Sequence, residues 1–246
     1  DTDRSRGLGD VYKRQYIYKA VAGVCSLMLL MSSCESFLSE EPKDFLSPEN
    51  LPNTEAECNM LLMGSLSYWR SNNFERHINF IAEATTDAVV SATANNVARD
   101  EMNSLTWQSD NESLYKPWQQ FYACINASNI MIEKVPNASK VSDEVKTRYV
   151  AAARYMRAMS YFYLVRIFND VIYLDTPVND FTSANNMTKT PAKEIYNKIV
   201  EDLEYAEANL PVKWDSGTER PTVAAAKSLL SWVYICLLYT SDAADD

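Results

Sequence analysis

Glycine is scarce: the chain has five glycines in 246 residues. After the first 33 residues only Gly64 and Gly217 remain. Loops that cradle phosphate with backbone N–H groups need clustered glycines, and no G-x-x-x-x-G-K-[ST] or G-x-G-x-x-G occurs. G-x-S-x-G, H-E-x-x-H and C-x-x-C are missing as well, so the sequence carries no catalytic residues of those classes and no metal ligands. His77 is the sole histidine, with no Cys or acid at ligand spacing, and reads as an ordinary core or surface residue. Positive charge is also short. Against 33 acidic residues there are 23 basic ones, a net charge of −10, which argues against nucleic acid, whose phosphates need a clustered basic face. No apolar run reaches the roughly 20 residues of a membrane-spanning helix. Strand-like alternation is almost absent, so the expected fold is all-α. Nothing in the composition calls for a cofactor.

What the chain does have is one long apolar helix at 148–174, RYVAAARYMRAMSYFYLVRIFNDVIYL. From Tyr149 to Phe168 it holds no Gly, Pro, Asp or Asn. Tyr149, Ala152, Met156, Met159, Tyr163 and Ile167 repeat at the helical period, and the opposite side is apolar too. A helix apolar nearly all round is enclosed by protein. Arg154, Arg157 and Arg166 interrupt it, and a buried guanidinium needs a carboxylate. Glu83 and Asp87, four residues apart, are the expected partners of Arg154 or Arg157. A catalytic carboxylate pair would ordinarily come from separate elements. Asn169 follows Phe168 and can adopt the left-handed conformation that ends a helix.

Both ends look foreign. A DNA string that encodes DVYKRQ at 10–15 also encodes, on its other strand and one base out of phase, CLLYTS at 236–241. Residues 1–15 and 236–246 therefore resemble sequencing-adapter read-through and are set aside from fold reasoning. Residues 16–33 read as a truncated signal peptide: Lys19, then an apolar run from 20 to 31 of secretory length. The run closes on Leu30-Met31-Ser32-Ser33-Cys34, which resembles a bacterial lipobox with Cys34 as the lipidated residue. Two or three acyl chains would anchor the protein firmly to a membrane. Residues 34–53, with three prolines and several acids, read as a tether. Glu35, Glu40 and Glu41 close behind Cys34 resemble the surface-export signals of Bacteroidetes lipoproteins. Of the other cysteines, Cys58 and Cys124 are read as small buried hydrophobes, a disulfide between them being the lesser option.

The folded part, 54–235, reads as helices in sequence. Thr54 and Glu57 form a capping box ahead of a helix to about residue 72. A helical or mixed segment follows at 78–90, then an irregular excursion at 91–110. Further helices are expected at 113–135, from Ser142 to 168, at 192–209 and at 222–235, with a polar loop at 175–189. Helices of this length joined by short turns suggest stacked pairs, as in tetratricopeptide repeats.

Several blocks in order resemble the SusD/RagB family of outer-membrane nutrient-binding lipoproteins. They are the lipobox at Cys34, the acids Glu83 and Asp87, and Trp118-x-x-Phe-Tyr-x-x-Ile-Asn-x-x-Asn129. ARYMRAMSYFYLVRIFNDVIYL from Ala153 follows. Ile195-Tyr-x-x-Ile-x-x-Asp202-Leu203 with Asn209-Leu-Pro comes next, then Arg220-Pro-Thr-x-x-Ala-Ala-x-x-Leu-Leu. Asn169 and Ile172 stand where the family usually has glycine and proline. The resemblance implies a tetratricopeptide-like scaffold, the N-terminal part of a longer protein, on the cell exterior. It implies an oligosaccharide ligand, or sometimes a peptide, bound without cleavage beside a TonB-dependent barrel partner. A helical-repeat module that binds polypeptide is the alternative.

Sugar binding needs aromatic faces for pyranose C–H groups and amides, carboxylates or guanidinium groups for hydroxyls. The densest such set is the 91–110 excursion, with Asn95, Asn96, Arg99 and Trp107, though Trp107 is read more as core than as platform. A second cluster runs from Tyr68 through Trp69 and Asn72.

Overall fold

A computed structural model of the chain describes residues 17–19, 52–89, 96–178, 187–215 and 220–242. Cys34 and most of the tether lie outside these residues, as does the 91–95 part of the excursion. The chain divides into two units, residues 1–47 and 48–246. In the first, 17–19 form a helical turn. Everything below concerns the second.

Its described residues form helices, with one isolated bridge between Val171 and Thr190. The helices are α1 (Glu55–Ser67), α2 (Asn72–Glu83), α3 (Val97–Ser104), α4 (Glu112–Lys134), α5 (Asp143–Phe168), α6 (Ala192–Asn209) and α7 (Val223–Asp242). A short 3₁₀ turn, Val135–Asn137, closes α4. Helix starts follow the capping signals. Thr54 Oγ1 accepts from Glu57 N–H at 3.3 Å, and the Glu57 carboxylate accepts back from Thr54 N–H at 3.0 Å. Backbone N–H groups of Asn53 and Thr54, both donating to its carboxylate, hold the Glu57 pKa below its ordinary value. Ser142 caps α5 through Val145 N–H. Asn169 ends α5 with a positive φ of 60°.

The expected boundaries fail in two places. α2 begins at Asn72, because Ser71 accepts from Phe74 N–H and caps it early; the helix stops before the segment expected at 78–90 is complete. The excursion also contains the two-turn helix α3.

α5 is the central pillar. It packs against α4 on one side and α6 on the other, and α6 packs against α7. That is the stacked-pair arrangement expected of tetratricopeptide-like helices. Ala151, Ala152, Ala153 and Ala158 on α5 are fully buried, so the small side chains let α4 and α6 approach its axis closely. One apolar cluster joins α1, α4 and the first half of α5 with Leu210 and Trp214. A second joins Phe74 and Phe121 to the later half of α5, then to α6 and α7. Each buried large apolar side chain contributes about 1.5–3 kcal/mol, and Tyr161, Phe162, Met156 and Leu164 on α5 alone are fully enclosed.

Candidate functional site

The arginines of α5 find a partner other than the one expected. Arg157 is 7 % exposed. Its Nε donates to Asp202 Oδ2 at 2.7 Å and its Nη2 to Asp202 Oδ1 at 2.8 Å. Its Nη1 donates to Asn129 Oδ1 at 2.8 Å. Burial alone would favour the neutral guanidinium; the Asp202 hydrogen bonds and charge outweigh it and raise the Arg157 pKa. Arg154 stands 3.7 Å from Asp202 and lies over the Tyr205 ring at 4.1 Å. Glu83 and Asp87 are exposed at and beyond the end of α2, while Arg154 and Arg157 both pair with Asp202. The buried acid of α6, Asp202, takes the role instead.

The aromatic candidates also separate. Trp69 is a pin in the core, not a platform. Its ring meets Phe74 at 4.7 Å, Tyr163 at 5.1 Å and Phe121 at 5.6 Å, and its Nε1 donates to Ser160 Oγ at 3.3 Å. Asn72 opens α2, and its side chain is outside the described residues. Trp107, read as core, is instead 40 % exposed in the extended stretch after α3.

The excursion is held by amides. Asn96 Oδ1 accepts from Arg99 N–H at 3.0 Å and caps α3, so that oxygen is already engaged. Asn95 is outside the described residues. Asn103 Nδ2 donates to the carbonyls of Ala84 and Val89, both at 2.9 Å. Asn111 Nδ2 donates to Ala98 O at 2.9 Å and to Glu101 Oε2 at 2.7 Å. Arg99 lies over the Phe80 ring at 4.6 Å, with Arg76 near the same ring at 5.9 Å. Met102, 1 % exposed, plugs α3 into the interior. Of the sequence-derived candidates, this arrangement leaves Arg99 and Trp107 on one short, tightly braced surface element, with Asn96 as its cap. An aromatic face and a guanidinium on a braced loop are the groups that grip a sugar ring and its hydroxyls.

Beneath this lies a feature that residue types alone did not reveal. The 172–178 segment runs along α4 and is gripped through its backbone. Tyr122 Oη donates to Ile172 O at 2.8 Å. Asn129 Nδ2 donates to Leu174 O at 2.9 Å and Thr176 O at 3.1 Å. Asn126 Oδ1 accepts from Val178 N–H at 2.8 Å, and its Nδ2 donates to Val178 O at 3.3 Å. Tyr122, Asn126 and Asn129 stand at i, i+4 and i+7, one face of a helix. They satisfy carbonyls at 172, 174, 176 and 178, every second residue of an extended chain. From α5, Tyr161 Oη donates to Leu174 O and accepts from Leu174 N–H. This polar face of α4 is thus saturated by the chain's own backbone. The signal was present as Tyr-x-x-x-Asn-x-x-Asn along one face of α4.

Beside that segment lies a cleft of about 560 Å³, walled by Trp118, Ala123, Ala127 and Ile130 of α4 and by Ile172 and Leu174. His77 is buried, its Nδ1 3.3 Å from Ser113 Oγ. No group of three or more metal-binding side chains occurs among the described residues. Cys58 and Cys124 are separate buried thiols, as the sequence suggested; burial, followed by Glu57, pushes Cys58 up to about 11.

The family model described as "Starch-binding associating with outer membrane" matches residues 36–235. A SusD-like protein of Formosa agariphila is 33 % identical over 215 residues, covering 85 % of this chain and 41 % of the relative. A solved laminarin-binding SusD-like protein matches with a TM-score of 0.67 at 24 % identity, over 75 % of this chain and 40 % of that one. A structure solved with a xylogluco-oligosaccharide matches with a TM-score of 0.58 at 25 % identity, over 73 % and 34 %. The chain thus spans about two fifths, or less, of the length of the relatives it matches.

Proposed function

The chain belongs to the SusD-like family, and from that premise we propose that it is the N-terminal helical part of a cell-surface lipoprotein. It binds a nutrient oligosaccharide without cleaving it and hands it to a TonB-dependent outer-membrane barrel. The observation that carries this reading is the family match across 36–235. Two of the similar solved proteins carry laminarin or a xylogluco-oligosaccharide in their descriptions. The exposed Trp107 and the braced Arg99 supply the group types such a ligand needs. Cys34 would carry the acyl chains that hold the protein at the membrane.

The occupied polar face of α4 weighs against the alternative, a helical-repeat module for peptides. The side chains that would hold a peptide backbone, Tyr122, Asn126 and Asn129, are occupied by residues 172–178. A peptide would have to expel a segment of the same chain first.

The test is calorimetry of the full-length protein with soluble starch, β-glucan and xyloglucan oligosaccharides, together with a reducing-end assay. Saturable heat with no new reducing ends is expected. Failure to bind any glycan, with binding of peptides instead, overturns the reading; new reducing ends overturn the non-enzymatic part of it.

A further inference from the structure

We propose that His77 is a pH-sensitive latch: its neutral imidazole keeps α3 seated on α2 and α4, and a proton on it lets α3 lift away. The latch itself stands apart from the glycan reading; its use in controlling ligand rests on that reading, through Arg99 on α3 and Trp107 just after it. A line of contacts runs from the ring to α3. His77, 2 % exposed on α2, has Nδ1 3.3 Å from Ser113 Oγ in the first turn of α4. Ser113 N–H donates to Asn111 Oδ1 at 2.9 Å. The Nδ2 of the same amide donates to Ala98 O and Glu101 Oε2 of α3. Ser113 and Asn111 are both buried. The imidazole also meets the Phe80 ring at 6.4 Å, and Arg99 of α3 lies over that ring at 4.6 Å.

The hydrogen bond to Ser113 does not set the switch, because a hydroxyl can donate to a neutral ring or accept from a charged one. Charge and burial set it. The charged groups that face the ring are Arg76 on its own helix, Arg99 on α3, and Lys116 and Glu112 on α4. Lys116 and Glu112 pair with each other at 2.6 Å, and Glu101 of α3 is engaged by Asn111. An imidazolium sealed here loses its water and meets two guanidinium groups, which is unfavourable. α3 is the element that yields. It has eight residues, with Met102 its buried anchor, and so short a helix is not stable alone. α2 is tied through Phe74 to Trp69 and Phe121, and α4 runs for 23 residues. Lifting α3 admits water, and the hydrated imidazole takes its proton near the ordinary pH of about 6.5. The closed state is therefore complete above pH 6.5 and gives way below it. At pH 5.5 a hydrated imidazole is about ten to one protonated, so the open-to-closed ratio rises by up to about tenfold.

The experiment is hydrogen–deuterium exchange of the full-length protein at pH 7.5 and 5.5, native and His77→Gln, followed in peptides that cover α3. Gln keeps hydrogen-bonding groups and does not titrate. Comparing the two proteins at one pH cancels the intrinsic pH dependence of exchange. From pH 7.5 to 5.5 the native-to-variant rate ratio in α3 is expected to rise several-fold, up to about tenfold, while peptides of α5 hold level. If His77→Gln does not fold, native α3 exchange, corrected for intrinsic rates and set against α5, carries the same test. A level ratio overturns the latch, and so does a rise shared equally by α5. Glycan titration in the same buffers tests the link to ligand. The native Kd is expected to rise with falling pH, by no more than about tenfold, and to hold level in His77→Gln. A level native Kd while α3 opens overturns that link. Native protein that binds no glycan while α3 opens as expected overturns the glycan reading and upholds the latch.

Discussion

One buried side chain serves three elements at once. Arg157 ties α5 to α6 through both oxygens of Asp202 and to α4 through Asn129. The pair is buried on both sides, with side-chain exposures of 8 % and 5 %. Removing one member of a buried pair strands the other charge, at a cost of about 3–5 kcal/mol, whereas replacing both with apolar residues is often close to neutral. Asp202→Asn should therefore lower the urea midpoint steeply, and Arg157→Met with Asp202→Leu should restore much of it. Asp87→Asn, on an exposed position, should leave the midpoint where it is. A midpoint that falls with Asp87→Asn and not with Asp202→Asn would reverse the assignment. Trp69 supplies a second contrast. Sequence composition suggested a ring for ligand; its three ring contacts and the Ser160 hydrogen bond mark a core residue. Trp69→Ala should cost about 3–5 kcal/mol, as large aromatic truncations in cores do. Glycan affinity per folded molecule should be unchanged in the same calorimetric assay.

At the scale of elements, α2, α3 and the start of α4 form a corner whose stability depends on a neutral imidazole. His77 on α2 is 2 % exposed and meets Ser113 in the first turn of α4. Burial is the main reason its pKa is lowered; Lys116, Arg76 and Arg99 push the same way, and Glu112 opposes them. The positive end of the α4 dipole adds to the penalty for a cation there. With a folded pKa below the ordinary 6.5, the contribution of His77 is complete above pH 6.5 and is lost as pH falls below it. Glu57 and Glu112 have lowered pKa values, so their losses begin only below about pH 4.5. Urea midpoints should fall between pH 7.5 and 5.5 in the native protein, and the fall should be smaller in His77→Gln. An equal fall in both would remove His77 as the cause. Helices were the most legible elements because period and caps agree: the spans of α1, α4, α5 and α6 all begin at or beside the signals read from sequence. α3 was hidden, since eight residues rich in polar side chains carry no long apolar period and only Asn96 marks the start. The Arg157 partner was misread for a different reason. Sequence order gives no distance, and the usable clue was an acid on the Ile195, Ile199, Leu203, Ala206 face of α6, where only a buried charge would sit. The grip of α4 on residues 172–178 is marked on one side only, by Tyr122, Asn126 and Asn129 on one helix face; the backbone groups they hold leave no side-chain pattern.

At the scale of the whole molecule, two facts constrain what this chain does by itself. The amide face of α4 is occupied by the chain's own backbone, and of the candidate ligand residues Arg99 stands on the short helix α3 and Trp107 just after it. In the proposed reading those two residues offer a sugar one aromatic face and one cation, so tight binding calls for groups from the rest of a full-length protein. In the proposed reading the helical part acts as a rigid base, with α5 locked to its neighbours by burial and by Arg157, and placement at the membrane falls to the N-terminal residues. Cys34 carries that task in the proposed reading, because acyl chains on a cysteine at the head of a Pro-rich tether hold the protein while leaving the fold free of the bilayer. Anchoring and binding are then separable. Cys34→Ala in the full-length protein should abolish incorporation of labelled palmitate and move the protein out of the membrane fraction. Its oligosaccharide affinity in solution should equal that of detergent-solubilised native protein. Membrane retention of Cys34→Ala without palmitate would require another attachment, and a lost affinity would mean that the anchor also shapes the site.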